Sequence, residues 1–183
     1  MMQPSPRPTT EVRDVILDSM DRMFDQLANR LDGLTNDEYL WEPVTTMWTV
    51  RTIGQTTAVD GAGIRDLDPA PATTIAWRLW HVAMDCLDDY TRRFHGDPSD
   101  APAEWTLEAG VAIETLRQKW SSYREEIASR DWWDQLGRDW GPWANHSVAD
   151  MAMHASNELV HHGAETGLLR DLYRASEAGG HLS

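Results

Sequence analysis

Apolar side chains recur at intervals of three and four along most of this chain. From Thr9 or Thr10, a stripe of Ile16, Met20, Met23, Leu27, Leu31 and Leu34 alternates with Asp and Arg on the opposite face. That period predicts an amphipathic helix burying one side, with Gly33 as its stop signal. A second stripe of Ile75, Trp77, Trp80, His81, Met84, Leu87 and Tyr90 follows Pro69 and Pro71. Thr73 or Thr74 is placed to cap this helix, and Gly96-Asp97-Pro98 ends it. Ile113, Leu116, Trp120, Tyr123 and Ile127 predict a third helix over about 107–129. The fourth begins at Ser147, where Asp150 three residues on completes a capping-box arrangement, and continues to about Ala175.

Residues 34–72 break the helical period. Thr, Gly and Pro are mixed there with β-favouring pieces such as MWTVRTI. This predicts a long connection carrying a short hairpin and a helical turn around Asn36–Leu40, and long connections often cover or build a site. A second connection, Asp131–Asn145, is aromatic and broken by Gly141-Pro142. Residues 1–8 and 176–183 are expected to be flexible tails around one domain at 9–175. Four long helices without βαβ alternation make an all-α four-helix bundle, with a long connection between helices one and two, the economical fold.

Composition narrows the function. The 183 residues suit a single domain able to bury a substantial core. Sixteen basic against thirty acidic residues, a net charge of −14, argue against nucleic-acid and anionic-membrane partners, both of which need clustered cations. The one cysteine, Cys86, excludes an internal disulfide framework and a multi-cysteine zinc site, and is compatible with a reducing compartment. No apolar leader opens the chain, and no run approaches the roughly 18 apolar residues of a membrane span. The expectation is a cytoplasmic protein.

The segment MAMHASNELVHHGAETGLLRDLYR carries the chemistry. His154, Glu158 and His162 lie successively one turn along and about 40° round a helix, forming a slanting row, with His161 and Glu165 close by. Helix two sets His81 in its apolar stripe, with Asp85 one turn later. If both faces turn inward, His81, Glu158 and His162 converge and offer two nitrogens and a carboxylate to a divalent ion, leaving coordination positions open. Spacing alone is equally compatible with a hydrogen-bonded core His81, solvated His154 and His161, an exposed Glu158, and an Asp85 paired with Arg78. Cys86 stands five residues past His81, about 140° round an α-helix, so it is expected to face away as a small buried apolar residue. Gly163 and Gly167 suggest close packing against a neighbouring helix. Arg170-Asp171-Leu172-Tyr173 is distinctive, and a packing role or salt bridge explains it as well as substrate contact does.

Four segments resemble the DinB-like (DinB/YfiT) family of metal-binding four-helix bundles in their order and spacing: MDRMFDQLANRLDGLTNDEYLWEPV, MWTVR, TIAWRLWHVA and NELVHHGAETGLLRDLY. The resemblance extends over about residues 12–174. It implies a metal held by one histidine of helix two and a pair four apart on helix four. His81 matches the first, His162 the last, and the middle position falls on Glu158, where histidine is commoner. Such a set suits zinc, nickel or iron. By resemblance, His161, Glu165, His154 and Asp85 would orient ligands or relay protons. The superfamily includes metal-dependent transferases and isomerases that use a low-molecular-weight thiol such as mycothiol or bacillithiol, which implies metal-assisted thiolate formation and a small-molecule substrate. A hydrolase using metal-bound water fits the same residues. So does a non-catalytic metal- or ligand-binding helical bundle that pairs as a homodimer.

Overall fold

The computed structural model describes residues 9–64 and 67–179. In chain order its elements are α1 (Thr9–Arg30), α2 (Asn36–Tyr39), β1 (Val50–Ile53), β2 (Thr56–Val59), α3 (Ile75–Trp80), a π-helical segment (His81–Asp88), α4 (Asp89–Phe94), α5 (Ala109–Ser129), a short 3₁₀ stretch (Arg138–Trp143) and α6 (Val148–Gly179). The fold is all-helical except for one antiparallel hairpin, in which Val50 pairs with Val59 and Ile53 with Thr56. Helix α3, the π segment and α4 run on as one rod, because His81 and Asp89 at the two junctions keep right-handed helical dihedrals. The second predicted helix is therefore present, but its middle is wound differently from an α-helix.

The predicted stripes build the core. Met20 and Leu27 of α1, Leu31 just beyond its end, Leu79 and Leu87 of the α3–α4 rod, Leu116 and Ile127 of α5, and Met151 and Leu159 of α6 are all buried. Phe24 stacks on Trp120 with ring centroids 4.8 Å apart, joining α1 to α5. At the start of α6 the Ser147 backbone N–H donates to Asp150 Oδ2 at 2.7 Å, and the Asp150 N–H donates to Ser147 Oγ at 3.2 Å, so the capping box forms. The helix continues through Gly179, four residues beyond the Ala175 expected from the sequence. Of the predicted tails, 1–8 and 180–183 lie outside the described residues, whereas 176–179 form the last turn of α6. Among the described residues, no helix is long and apolar enough to cross a membrane.

The long connection contains both predicted pieces, α2 and the hairpin, and it is tied to the start of α3. Thr74 caps α3 by accepting from the Trp77 N–H at 3.3 Å, and its hydroxyl meets that of Thr49 at 2.8 Å. The Trp48 N–H donates to Ala72 O and the Trp48 carbonyl accepts from the Thr74 N–H, both at 2.9 Å, which sets Trp48 opposite Thr73 in a parallel bridge. Gly61, at φ +68°, makes this placement possible: a Cβ there would lie 2.3 Å from a ring carbon of Trp48. Of the two glycines on α6, Gly167 is the tight one, with Arg30 Nε 3.2 Å from an added Cβ, whereas at Gly163 the same atom would only reach ordinary contact with Leu27 at 3.6 Å.

A buried ion pair fastens the connection to α6. Arg170, 3% exposed, donates from Nε and Nη2 to the two oxygens of Glu38, 4% exposed, at 2.7 and 3.0 Å. Its Nη1 donates to the carbonyls of Arg30 and Asp32, the latter at 2.9 Å, so one guanidinium closes the end of α1 and pairs with α2. Arg170→Ala strands a buried carboxylate. Urea denaturation should show a loss of about 3–5 kcal/mol, and a loss below about 1 kcal/mol would mean the pair contributes no more than a surface one.

Candidate metal centre

The π-helical winding decides what surrounds His81. In this winding hydrogen bonds close five residues along rather than four, so residues five apart come round to one side. Cys86 accordingly faces His81, with Sγ 3.6 Å from Nε2. The expectation that it points away is overturned, because the 140° offset holds only for α-helical rotation. Asp85 Oδ2 lies 3.0 Å from the other ring nitrogen, Nδ1. The imidazole also stacks on Trp77, with centroids 5.0 Å apart and planes within 12°, and Trp77 in turn rests against Trp48 and donates from Nε1 to Asp60 O at 2.8 Å. The ring is thus covered on its face by Trp77 and has Cys86 at one nitrogen and the Asp85 carboxylate near the other.

From α6, Glu158 reaches the same place. Its Oε2 is 3.3 Å from His81 Nε2 and 3.2 Å from His162 Nε2, and the two imidazoles meet edge to face with centroids 4.9 Å apart. The structure therefore brings His81, Glu158 and His162 together about one carboxylate oxygen. His162 is fixed from behind, its Nδ1 lying 2.9 Å from Glu165 Oε2, and Glu165 is paired with Arg78. Arg78 thus engages Glu165, and Asp85 meets His81. His154 touches the other Glu158 oxygen at 3.5 Å, while His161 is more than half exposed, stacks on His162 and reaches Glu165 Oε1 at 3.2 Å.

The electrostatics follow from this crowding. Burial disfavours a charged His81, but Cys86, Asp85 and Glu158 outweigh it and hold the imidazole well above its usual range. Burial likewise opposes ionisation of Glu158, yet hydrogen bonds from His162 and His81 hold its carboxyl well below the usual carboxylate range. Burial pushes His162 down and the Cys86 thiol up.

The donor set fits a divalent ion. Two nitrogen or oxygen ligands on one tetrahedral zinc stand roughly 3.4 Å apart, close to both nitrogen–oxygen separations here. Among the described residues, one group offers donors that all lie within 4.8 Å of one another: His81, Cys86 and Glu158. His162 joins through Glu158. The three residues named from the sequence, His81, Glu158 and His162, are near one another, and Cys86, which the sequence reading turned away, stands beside two of them.

A cavity of about 430 Å³ opens on the cluster. His81, Cys86, Glu158 and His154 lie on its wall, and Tyr90, Trp140 and Trp143 supply aromatic surface. The 131–145 connection, expected only as an aromatic linker, therefore forms one side of the candidate site.

Glu158 also makes a prediction for the metal-free protein. A carboxyl whose folded pKa is depressed stabilises the fold at pH values above its unfolded value, about 4.3, and this contribution is lost progressively as pH falls towards the folded value. In chelator, the parent should exceed Glu158→Gln in denaturant stability at pH 6, and the gap should shrink below about pH 4. A gap independent of pH would contradict the depressed carboxyl.

Comparison with known proteins gives one finding. No curated protein and no solved structure matches the chain. The family model described as DinB superfamily matches residues 19–166, a span that includes the second half of α1, the hairpin, the His81 segment and the His154–Glu165 face of α6. The chain belongs to the DinB superfamily.

Proposed function

We propose that this protein is a metal-dependent transferase or isomerase acting through a low-molecular-weight thiol, with His81, Glu158 and His162 holding the ion. The observation that carries the reading is the meeting of two imidazoles on one carboxylate oxygen at the wall of a cavity large enough for a small molecule. A structural metal needs no such opening. Two histidines and a carboxylate suit zinc, nickel or iron. The ion, when bound, supplies Lewis acidity that makes a thiol ionise near neutral pH.

The chain's own residues do the rest. Asp85 lies 3.0 Å from Nδ1 of His81, which leaves Nε2 as the ring nitrogen that faces the centre. Glu165 does the same for His162, and Arg78 holds Glu165 in turn. Trp77 prevents the His81 ring from tilting. His154, on the cavity wall and 3.5 Å from Glu158 Oε1, is placed to exchange a proton with a substrate there. Tyr90, Trp140 and Trp143 provide the apolar and aromatic surface on which an acceptor substrate can lie.

Purified parent protein should contain one divalent ion per chain by elemental analysis. His81→Ala, Glu158→Ala and His162→Ala should each lose most of it while keeping the helical circular dichroism of the parent. Conjugation or isomerisation assays with mycothiol or bacillithiol should show turnover that disappears on chelation and returns on reconstitution. A parent protein that binds no divalent ion would end this reading. Stoichiometric metal without thiol-dependent turnover would leave a binding protein.

A further inference from the structure

We propose that Cys86 is itself a ligand of the ion, adding a sulfur donor to the nitrogen and oxygen donors. This inference rests on the reading above that the cluster holds a divalent metal, and extends it to a residue which that reading does not use.

Three independent features converge on the thiol. The first is the winding of the His81–Asp88 segment, which brings Sγ to 3.6 Å from His81 Nε2. Thiolate and imidazole ligands on one tetrahedral zinc, at about 2.3 and 2.0–2.1 Å from the ion, stand roughly 3.5 Å apart, so the observed separation is a ligand-to-ligand distance. The second is the partner helix. Glu158 comes from α6, yet its carboxylate, the His81 ring and the Cys86 sulfur all offer atoms within 4.8 Å of one another. Two elements distant in sequence have aimed three different donors at one place.

The third is the company the sulfur keeps. An inert buried cysteine sits among hydrocarbon side chains. Cys86 is only 3% exposed, yet it faces an imidazole and a carboxylate rather than hydrocarbon alone. Cys86 also lies on the cavity wall, on the side from which a small molecule would arrive.

A sulfur ligand changes which ions the site takes. Thiolate favours zinc and other soft or borderline ions over magnesium, calcium and manganese, which prefer oxygen. Cobalt reports the difference directly, because a thiolate ligand adds a near-ultraviolet sulfur-to-cobalt charge-transfer band to the visible ligand-field absorption.

The test loads full-length, chelator-stripped protein with cobalt in the absence of added thiols and oxygen. The parent is expected to show both absorptions, and Cys86→Ser and Cys86→Ala to keep the ligand-field bands and lose the charge-transfer band. His162→Ala, where it still takes up cobalt, should keep the charge-transfer band. Ligand-field absorption without the charge-transfer band in the parent would overturn the inference while leaving the metal site standing. A charge-transfer band that persists in both Cys86 variants would overturn it as well. Failure of the parent to bind cobalt, together with an absence of zinc by elemental analysis, would remove the metal reading and this one with it. The parent spectrum alone decides the matter if the Cys86 variants do not fold.

Discussion

A negative charge in the middle of a helical protein organises everything around it. Glu158 is carried inward by α6, and a buried carboxylate is tolerated only when its oxygens are engaged. Here one oxygen meets His81 and His162 and the other meets His154. His81 and His162 are in turn backed by a further acid each, Asp85 and Glu165, and Glu165 is paired with Arg78. The result is a row of linked polar groups along the seam between α6 and the α3–α4 rod. If Glu158 were replaced by an apolar residue, the three histidines would lose the acid that gathers them.

A second buried charge serves a different purpose. Arg170 and Glu38 pair bidentately and use the spare guanidinium proton on the carbonyl ends of α1. That contact fixes where the long connection leaves α1, which in turn sets where Trp48 falls. Trp48 reaches Trp77, and Trp77 covers the His81 ring. Loop placement and imidazole orientation are therefore linked through aromatic contacts rather than through the helices alone. The tolerance at Gly61 belongs to the same chain of contacts, because a methyl group there would displace Trp48.

Much of this was legible in the amino-acid sequence. The helical stripes, the Ser147 cap, the hairpin and the α2 turn all follow from local rules of period and capping, and these hold wherever the backbone is regular. Glu158 and His162 share a face set by ordinary α-helical rotation, His81 follows directly on the regular turn of α3, and the resemblance to DinB-like proteins supplied the pairing between helices. Cys86 could not be found this way. Its orientation depends on a local change of winding, and nothing in HVAMDCLD distinguishes a π turn from an α turn, since both bury the same apolar residues. The Arg170–Glu38 pair was half visible. An arginine at the end of α6 suggested a salt bridge, but its partner lies 132 residues away on a short helix inside a connection, where period carries no information.

The winding of the His81 segment also has a bearing on assembly. Asp85 and Cys86 come from the same turn as the imidazole and occupy opposite nitrogens of its ring. An ordinary turn offers a histidine one near neighbour at the fourth residue, whereas the wider turn adds another at the fifth. Half of the centre is thus drawn from eight consecutive residues. Only the carboxylate and the second imidazole have to come from a distant part of the chain.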